Sequence, residues 1–166
     1  MGKIENDFVK TPVETTELLL SLEKFEGNIL EPCCGDGAIS KVLLNKGYEV
    51  YSSDLIDYGF GSVINLFDIN EKYDNIVTNP PFNQKLARFS SVKKHLLTIT
   101  KKKLVLLWFV KNLGNEVEAK TSKYLRNVYV INKKIDFKEI NFGWLFAWYI
   151  WDKDYEGDTI IKRIRG

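Results

Sequence analysis

Apolar and polar positions change period along the chain, and the changes mark its elements. Phe8 to Glu14 reads as the approach to a helix. Thr11 can cap it, Pro12 suits the first helical position, and Glu14 completes a Thr-x-x-Glu capping box. Leu18, Leu19, Leu22 and Phe25 then form an apolar face at helical spacing, and Gly27 predicts the end. Asn28-Ile29-Leu30 is a short apolar run with strand character. A second helix is predicted from Ala38 to Lys46, closed by Gly47, and Tyr48 to Ser52 predicts the next strand. Asp74 to Thr78 reads as a strand stopped by Asn79-Pro80-Pro81-Phe82. A polar and basic stretch from Asn83 to Lys94 leads into a helix through His95, Leu96, Leu97 and Ile99. Lys103 to Val110 and Val128 to Ile131 predict strands flanking a helix over Val117 to Leu125. The last third turns β-rich, with Trp144–Trp151 and Thr159–Ile164 predicted as a hairpin about a turn through Asp152 to Asp158.

Strands alternating with helices imply parallel βαβ units. The expected fold is therefore α/β: a mostly parallel, seven-stranded, doubly wound sheet with helices on both faces and an antiparallel C-terminal hairpin. At 166 residues the length suits one domain spanning 1–166, and no repeat, linker or low-complexity segment divides it. With 45% hydrophobic and 28% charged residues the composition excludes a disordered tail or a disulfide-built miniprotein. No apolar run approaches the roughly 20 residues of a membrane helix, and the polar N-terminus predicts an intracellular chain. Cys33 and Cys34 are neighbours that cannot easily bridge each other and lack the partners of a zinc site, so no metal is expected. Net charge is +2, but residues 1–83 hold six lysines and fourteen acids. The remainder holds eighteen cations and eight acids, which suits a polyanionic partner as well as a solvated basic surface.

Three segments carry candidate chemistry. Glu31-Pro32-Cys33-Cys34-Gly35-Asp36-Gly37 joins the first predicted strand to the second helix. In an open α/β sheet, ligands sit beyond the carboxyl ends of strands, and glycines there let backbone approach them. Asp54 lies seventeen residues beyond Gly37, past the end of the next strand, where an acid can take both hydroxyls of a ribose. Asp57 is its rival. Together these two segments read as a nucleoside-cofactor site. The third segment, Asn79-Pro80-Pro81-Phe82, is the most specific. Its prolines fix the backbone and remove two donors, leaving the Asn79 amide and carbonyl acceptors at the sheet edge. Such a set suits a planar group bearing an NH2: Asn79 and the Pro80 carbonyl accept its hydrogens while Phe82 stacks on the ring.

These residues resemble the class I S-adenosylmethionine-dependent methyltransferases that modify adenine N6. The group's (Asp/Asn)-Pro-Pro-aromatic motif matches residues 79–82, its Asp/Glu-Pro-x-x-Gly-x-Gly loop matches 31–37, and its acid after the second strand matches Asp54. Phe8, Thr11 and Pro12 resemble the motif preceding the loop. Phe67-Asp68 fits the place where such enzymes hold the cofactor's adenine. Lys134-Ile135-Asp136-Phe137 followed by Trp144–Trp151 resembles the terminal strands of phage-type adenine methyltransferases. The resemblance implies that Glu31, Pro32, Cys33, Gly35 and Gly37 line S-adenosylmethionine, with Glu31 near its amino group and Thr11 at its carboxylate. Asp54 would meet the ribose and Asp68 the adenine amine. It implies in-line methyl transfer to a flipped-out adenine in DNA, with Asn79, Pro80, Pro81 and Phe82 at the acceptor. Lys85, Arg88, Lys93 and Lys94, with Lys162, Arg163 and Arg165, would contact phosphate. Both cysteines read as small packing residues, and His95 as structural.

No separate target-recognition domain is expected, so selectivity falls to loop 83–94, to a partner or to dimerisation. Adenine in RNA is an alternative substrate. A glutamine amide in a protein is another, against which Phe82 counts. A nucleic-acid- or cofactor-binding protein without turnover is the third.

Overall fold

A computed structural model of the chain describes residues 9–82, 89–116, 122–131 and 145–165. The elements in chain order are α1 (Val13–Leu22), β1 (Ile29–Glu31), α2 (Ala38–Asn45), β2 (Val50–Asp54), β3 (Ser62–Val63), β4 (Tyr73–Thr78), α3 (Phe89–Ile99), β5 (Thr100–Phe109), α4 (Leu113–Glu116), β6 (Leu125–Ile131), β7 (Phe146–Asp152) and β8 (Ile160–Ile164). Short 3-10 turns lie at Leu66–Asp68, Val110–Asn112 and Ser122–Tyr124. The strands form one eight-stranded sheet in the order β3-β2-β1-β4-β5-β7-β6-β8. β7 runs antiparallel to both its neighbours, and every other pair is parallel. Among the described residues, no helix is long and apolar enough to cross a membrane.

The pleat decides which helix covers which face, because paired residues in register point the same way. Glu31 pairs with Ser52, and the Ser40 side chain of α2 bonds both of their side chains. Leu107 pairs with Trp148, whose indole N–H donates to the Thr15 carbonyl of α1 at 2.9 Å. Alternation along the strands puts these residues on one face, which α1 and α2 therefore cover. Trp108 and Trp151 belong to the other face, where Phe89 and Lys93 of α3 meet them. The sheet is thus doubly wound. Its core runs through β5 and β7, where Leu104–Phe109 and Phe146–Trp151 are buried throughout.

Five expectations need correction. β7 and β8 do not form a hairpin. β7 is apolar and buried on both sides, so it takes the interior slot beside β5 over seven paired residues. β8 carries Lys162 and Arg163, leaves Ile160 and Ile161 exposed, and takes the edge beside β6. The eighth strand, β3, is two residues long and exposed, too short to show a period. α1 lacks the predicted capping box: Pro12 is the N-cap, no side chain caps the helix, and the buried Thr11 hydroxyl bonds Asn79 instead. α1 also stops at Leu22 rather than running through Phe25 to Gly27. Glu23 is extended there, with its buried carboxylate bonded to Lys103, Arg126, Asn127 and Tyr129. The helix predicted over 117–125 ends differently too, since Ser122–Tyr124 is a 3-10 turn and Leu125 opens β6; residues 117–121 lie outside the described residues. So do Phe8, Lys134–Phe137 and Trp144.

Candidate active site

Parallel strands deliver their carboxyl ends to one edge. Glu31 ends β1, Asp54 ends β2, Thr78 ends β4 and Phe109 ends β5. Because β7 is antiparallel, its first residue, Phe146, pairs with Phe109 at the same edge. Five chain segments thereby converge.

The glycine loop rises from β1. The Glu31 carboxyl is 1% exposed and accepts from the Ser40 N–H at 2.8 Å and from the Ser40 hydroxyl. Burial pushes its pKa up to about 8; the Ser40 bonds oppose the rise, and Asp54 and Asp36 add to it. Asp54 ties β2 to the loop: one carboxylate oxygen accepts from Gly35 N–H at 2.9 Å and the other from Ile56 N–H at 3.2 Å. Each oxygen keeps a second lone pair for a ligand. Gly37, at φ +81°, is the N-cap of α2, and a Cβ there would lie 2.5 Å from the Phe60 ring. That ring is capped in turn by the Lys41 ammonium, 5.0 Å from its centroid. Burial holds both thiols up, Cys34 to about 12, so neither serves as a thiolate. Lys10 pairs with one oxygen of Asp36 at 2.6 Å, and the other is buried without a partner among the described residues.

Asn79 follows β4. Its Nδ2 donates to Thr11 Oγ1 at 3.0 Å and to the Val9 carbonyl at 3.4 Å. These bonds orient the amide and leave Oδ1 buried with no partner among the described residues. Pro80 is buried, while Pro81 and Phe82 are half-buried. Phe82 joins an aromatic cluster, with ring centroids 4.6 Å from Phe109, 5.0 Å from Trp108 and 5.6 Å from Phe146. Phe89 stacks on Trp108 at 4.5 Å. One edge therefore offers an open carbonyl acceptor beside aromatic surface.

Asp68 is exposed at the turn after β3, where it lines a cavity of about 550 Å³ with Ser53, Ile64, Ile69 and Tyr73. His95 is structural, its Nε2 bonded to the Leu66 carbonyl at 2.8 Å. Asp57 accepts from Gly59 N–H at 2.8 Å within its own loop. Lys94, Lys162, Arg163 and Arg165 are exposed, but Lys93 is not available to phosphate. It is 5% exposed, with its ammonium over the Trp151 and Phe89 rings, because its place on α3 turns it to the sheet. Lys85 and Arg88 lie outside the described residues. Sequence reading missed Phe60, Phe89, Trp108, Phe109 and Phe146. The Gly59-Phe60-Gly61 triplet was a usable signal for the first, an aromatic between two residues that allow tight turns. The others sit in or beside runs that read simply as core.

Residues 60–141 match the family described as the methyltransferase small domain. No curated protein matches the chain. Among solved structures, a Pyrococcus horikoshii protein provisionally described as an RNA methyltransferase is similar with a TM-score of 0.67 at 18% identity, over 92% of this chain and 89% of that one. The magnesium protoporphyrin IX methyltransferase of Synechocystis, with S-adenosylmethionine bound, gives 0.60 at 14% identity, over 84% of this chain and 79% of that one. A modification subunit of a provisionally described type I restriction enzyme from Vibrio vulnificus gives 0.64 at 10% identity, over 95% of this chain but 47% of that one. At such identities the likeness is one of fold. The chain has the Rossmann-like fold of class I methyltransferases.

Proposed function

We propose that this protein is an S-adenosylmethionine-dependent methyltransferase acting on the N6 amino group of adenine in DNA. The observation that carries the reading is Asn79 Oδ1, a buried carbonyl acceptor left open at the end of β4, beside the Pro80 backbone and the Phe82 ring. An open buried acceptor costs about 1–3 kcal/mol, so the fold keeps it for a ligand that donates. A planar amine supplies that donor.

The residues present fit the cofactor. Asp36 holds a second buried unpartnered oxygen beside Gly35 and Gly37, and Asp54 has lone pairs to spare for ribose hydroxyls. Glu31 stands below the loop for the amino group, Pro32 and Cys33 line its turn, and Asp68 faces the adenine end. Thr11 orients Asn79 and keeps its own hydroxyl proton to give to a carboxylate. When bound, S-adenosylmethionine supplies a sulfonium-activated methyl group, whose carbon–sulfur bond breaks as the nitrogen–carbon bond forms, the sulfur keeping the electron pair and the surplus amine proton passing to solvent. Asn79 and the Pro80 carbonyl accept the two amine hydrogens, which raises electron density on a nitrogen whose lone pair is otherwise delocalised. Phe82 holds the ring plane. Lys94, Lys162, Arg163 and Arg165 provide exposed cations for the phosphate backbone. Adenine in RNA is the second reading, favoured by the Pyrococcus horikoshii likeness.

The test is methyl transfer from labelled S-adenosylmethionine to single-stranded DNA, duplex DNA and total RNA, with products digested and identified as nucleosides. N6-methyladenine in DNA is the expected product. Asn79→Ala is expected to lower the rate about 100- to 1,000-fold while leaving cofactor affinity near the parental value. A parental rate in that variant removes Asn79 from the acceptor site.

A further inference from the structure

Trp108 is the penultimate residue of β5, two positions beyond Leu106, the partner of Thr78. It is 4% exposed, and its indole nitrogen is buried with no partner among the described residues. Indole N–H is a donor only, and buried tryptophans usually find an acceptor for it. This fold can provide one: Trp148 in β7 bonds the Thr15 carbonyl at 2.9 Å. Trp151 also has an open indole nitrogen, but it pairs with Leu104, four residues back along β5 from Trp108, beneath the Lys93 ammonium. Trp148 pairs with Leu107 and points to the opposite face, so of the two open indoles Trp108 is the one at the carboxyl edge with the acceptor motif. Its ring lies 5.0 Å from Phe82 and stacks on Phe89 at 4.5 Å. At the end of the adjacent strand, Asn79 Oδ1 is open as well. One donor and one acceptor are thus left unmade around one strand end, among aromatic rings.

We infer that Trp108 positions the target base: its indole N–H donates to a pyridine-type ring nitrogen next to the amine that Asn79 accepts. This rests on the proposed reading of the site and deepens it. The pair reads a specific chemical pattern, an exocyclic NH2 flanked by a ring acceptor, which adenine presents as N6 beside N1 and N6 across from N7. A heterocycle whose ring carries N–H at that position meets donor against donor and is rejected. Phe82 and Phe89 contribute stacking, which every base satisfies, so the selectivity lies with Trp108.

The test compares the whole parental chain with Trp108→Phe, which keeps an aromatic ring and removes the donor. Each is assayed on oligonucleotides carrying one target adenine, or 1-deazaadenine or 7-deazaadenine in its place. The parent is expected to lose about 10- to 100-fold in kcat/KM on one analogue. Trp108→Phe is expected to lose as much on adenine and to show no further loss on that analogue. Changes in amine reactivity cancel, because both proteins meet the same analogue. Equal kcat/KM of variant and parent on adenine overturns the inference, as does an equal loss by the variant on all three substrates. The parent alone decides the matter if the variant does not fold: equal kcat/KM on adenine and both analogues shows that no ring nitrogen is read. A parent that methylates no adenine in any polymer overturns the proposed function and this inference with it, whereas an active parent with an indifferent variant overturns the inference alone.

Discussion

Single residues at the site trade solvation for position, and Glu31 does so most plainly. Its folded carboxyl titrates at about 8 because burial disfavours the charge, whereas an unfolded glutamate titrates near its ordinary 4.5. Between those values the folded chain holds a proton that the unfolded chain has released, so stability falls as pH rises through that window. Thermal melting of the cofactor-free protein from pH 4 to 9 tests this. Glu31→Gln keeps an acceptor for Ser40 and is expected to flatten the decline, and parallel curves for parent and variant would reject the assignment. At Gly37 the cost is steric. Gly37→Ala is expected to lose about 1–3 kcal/mol from its left-handed backbone, and more from displacing Phe60, read as a lower Tm. Loop residues 31–37 were legible because the glycines, the acid and the helix start are adjacent in sequence. The bond from Asn79 to Thr11 was not, because it spans 68 residues. Thr11 read locally as a cap, and only the fold shows that its hydroxyl is needed elsewhere.

Among elements, α1 is fastened by a residue outside it. Glu23 follows the helix, and its carboxylate, 4% exposed, bonds Lys103 on β5 at 3.0 Å and Arg126 on β6. Burial alone would raise its pKa, but the Tyr129 hydroxyl, Lys103 and Arg126 outweigh it and hold the group below its ordinary value. The stability it confers is present above that ordinary value and is lost as pH falls through the folded one. Glu23→Gln is expected to cost about 2–3 kcal/mol near neutral pH, less than a fully buried pair because Lys103 and Arg126 reach solvent. The gap should close in acid, and a gap independent of pH by denaturant titration would contradict the ionic account. The same network explains why the helix ended before its apolar period did: Leu18 to Phe25 kept helical spacing, but the partners of Glu23 lie about a hundred residues away. Strands inside the sheet were legible from their apolar runs. The slot each would occupy was not, since β7 and β8 are close in sequence yet separated by β6. What sorted them was their polarity, which decides between interior and edge.

Charge is organised over the whole molecule. Acids dominate residues 1–83 and cations the rest, so the two ends of the sheet differ in sign although the net charge is only +2. Nucleic-acid binding is therefore expected to weaken steeply with salt. Lys162→Ala and Arg163→Ala should each reduce the slope of log affinity against log salt by about 0.7–0.9, with little change in preference among sequences. Fluorescence anisotropy across a salt series measures this, and unchanged slopes would remove β8 from the contact surface.

The order in which the strands are strung has a consequence for assembly. The strand that fills the gap between β5 and β6 comes after both of them in the chain. Until it is in place, the apolar flank of β5 is an open edge and β6 has no backbone pairing with β5 or the strands beyond it. Phe146, which faces Phe82 and Phe109, arrives with that strand. The aromatic wall of the site and the continuity of the sheet are therefore completed by one event. Amide exchange should show β5, β6 and β7 opening as a single cooperative unit. Acceptor-side function should vanish with that unit, while the glycine loop, held by β1, α2 and Asp54 of β2, opens separately.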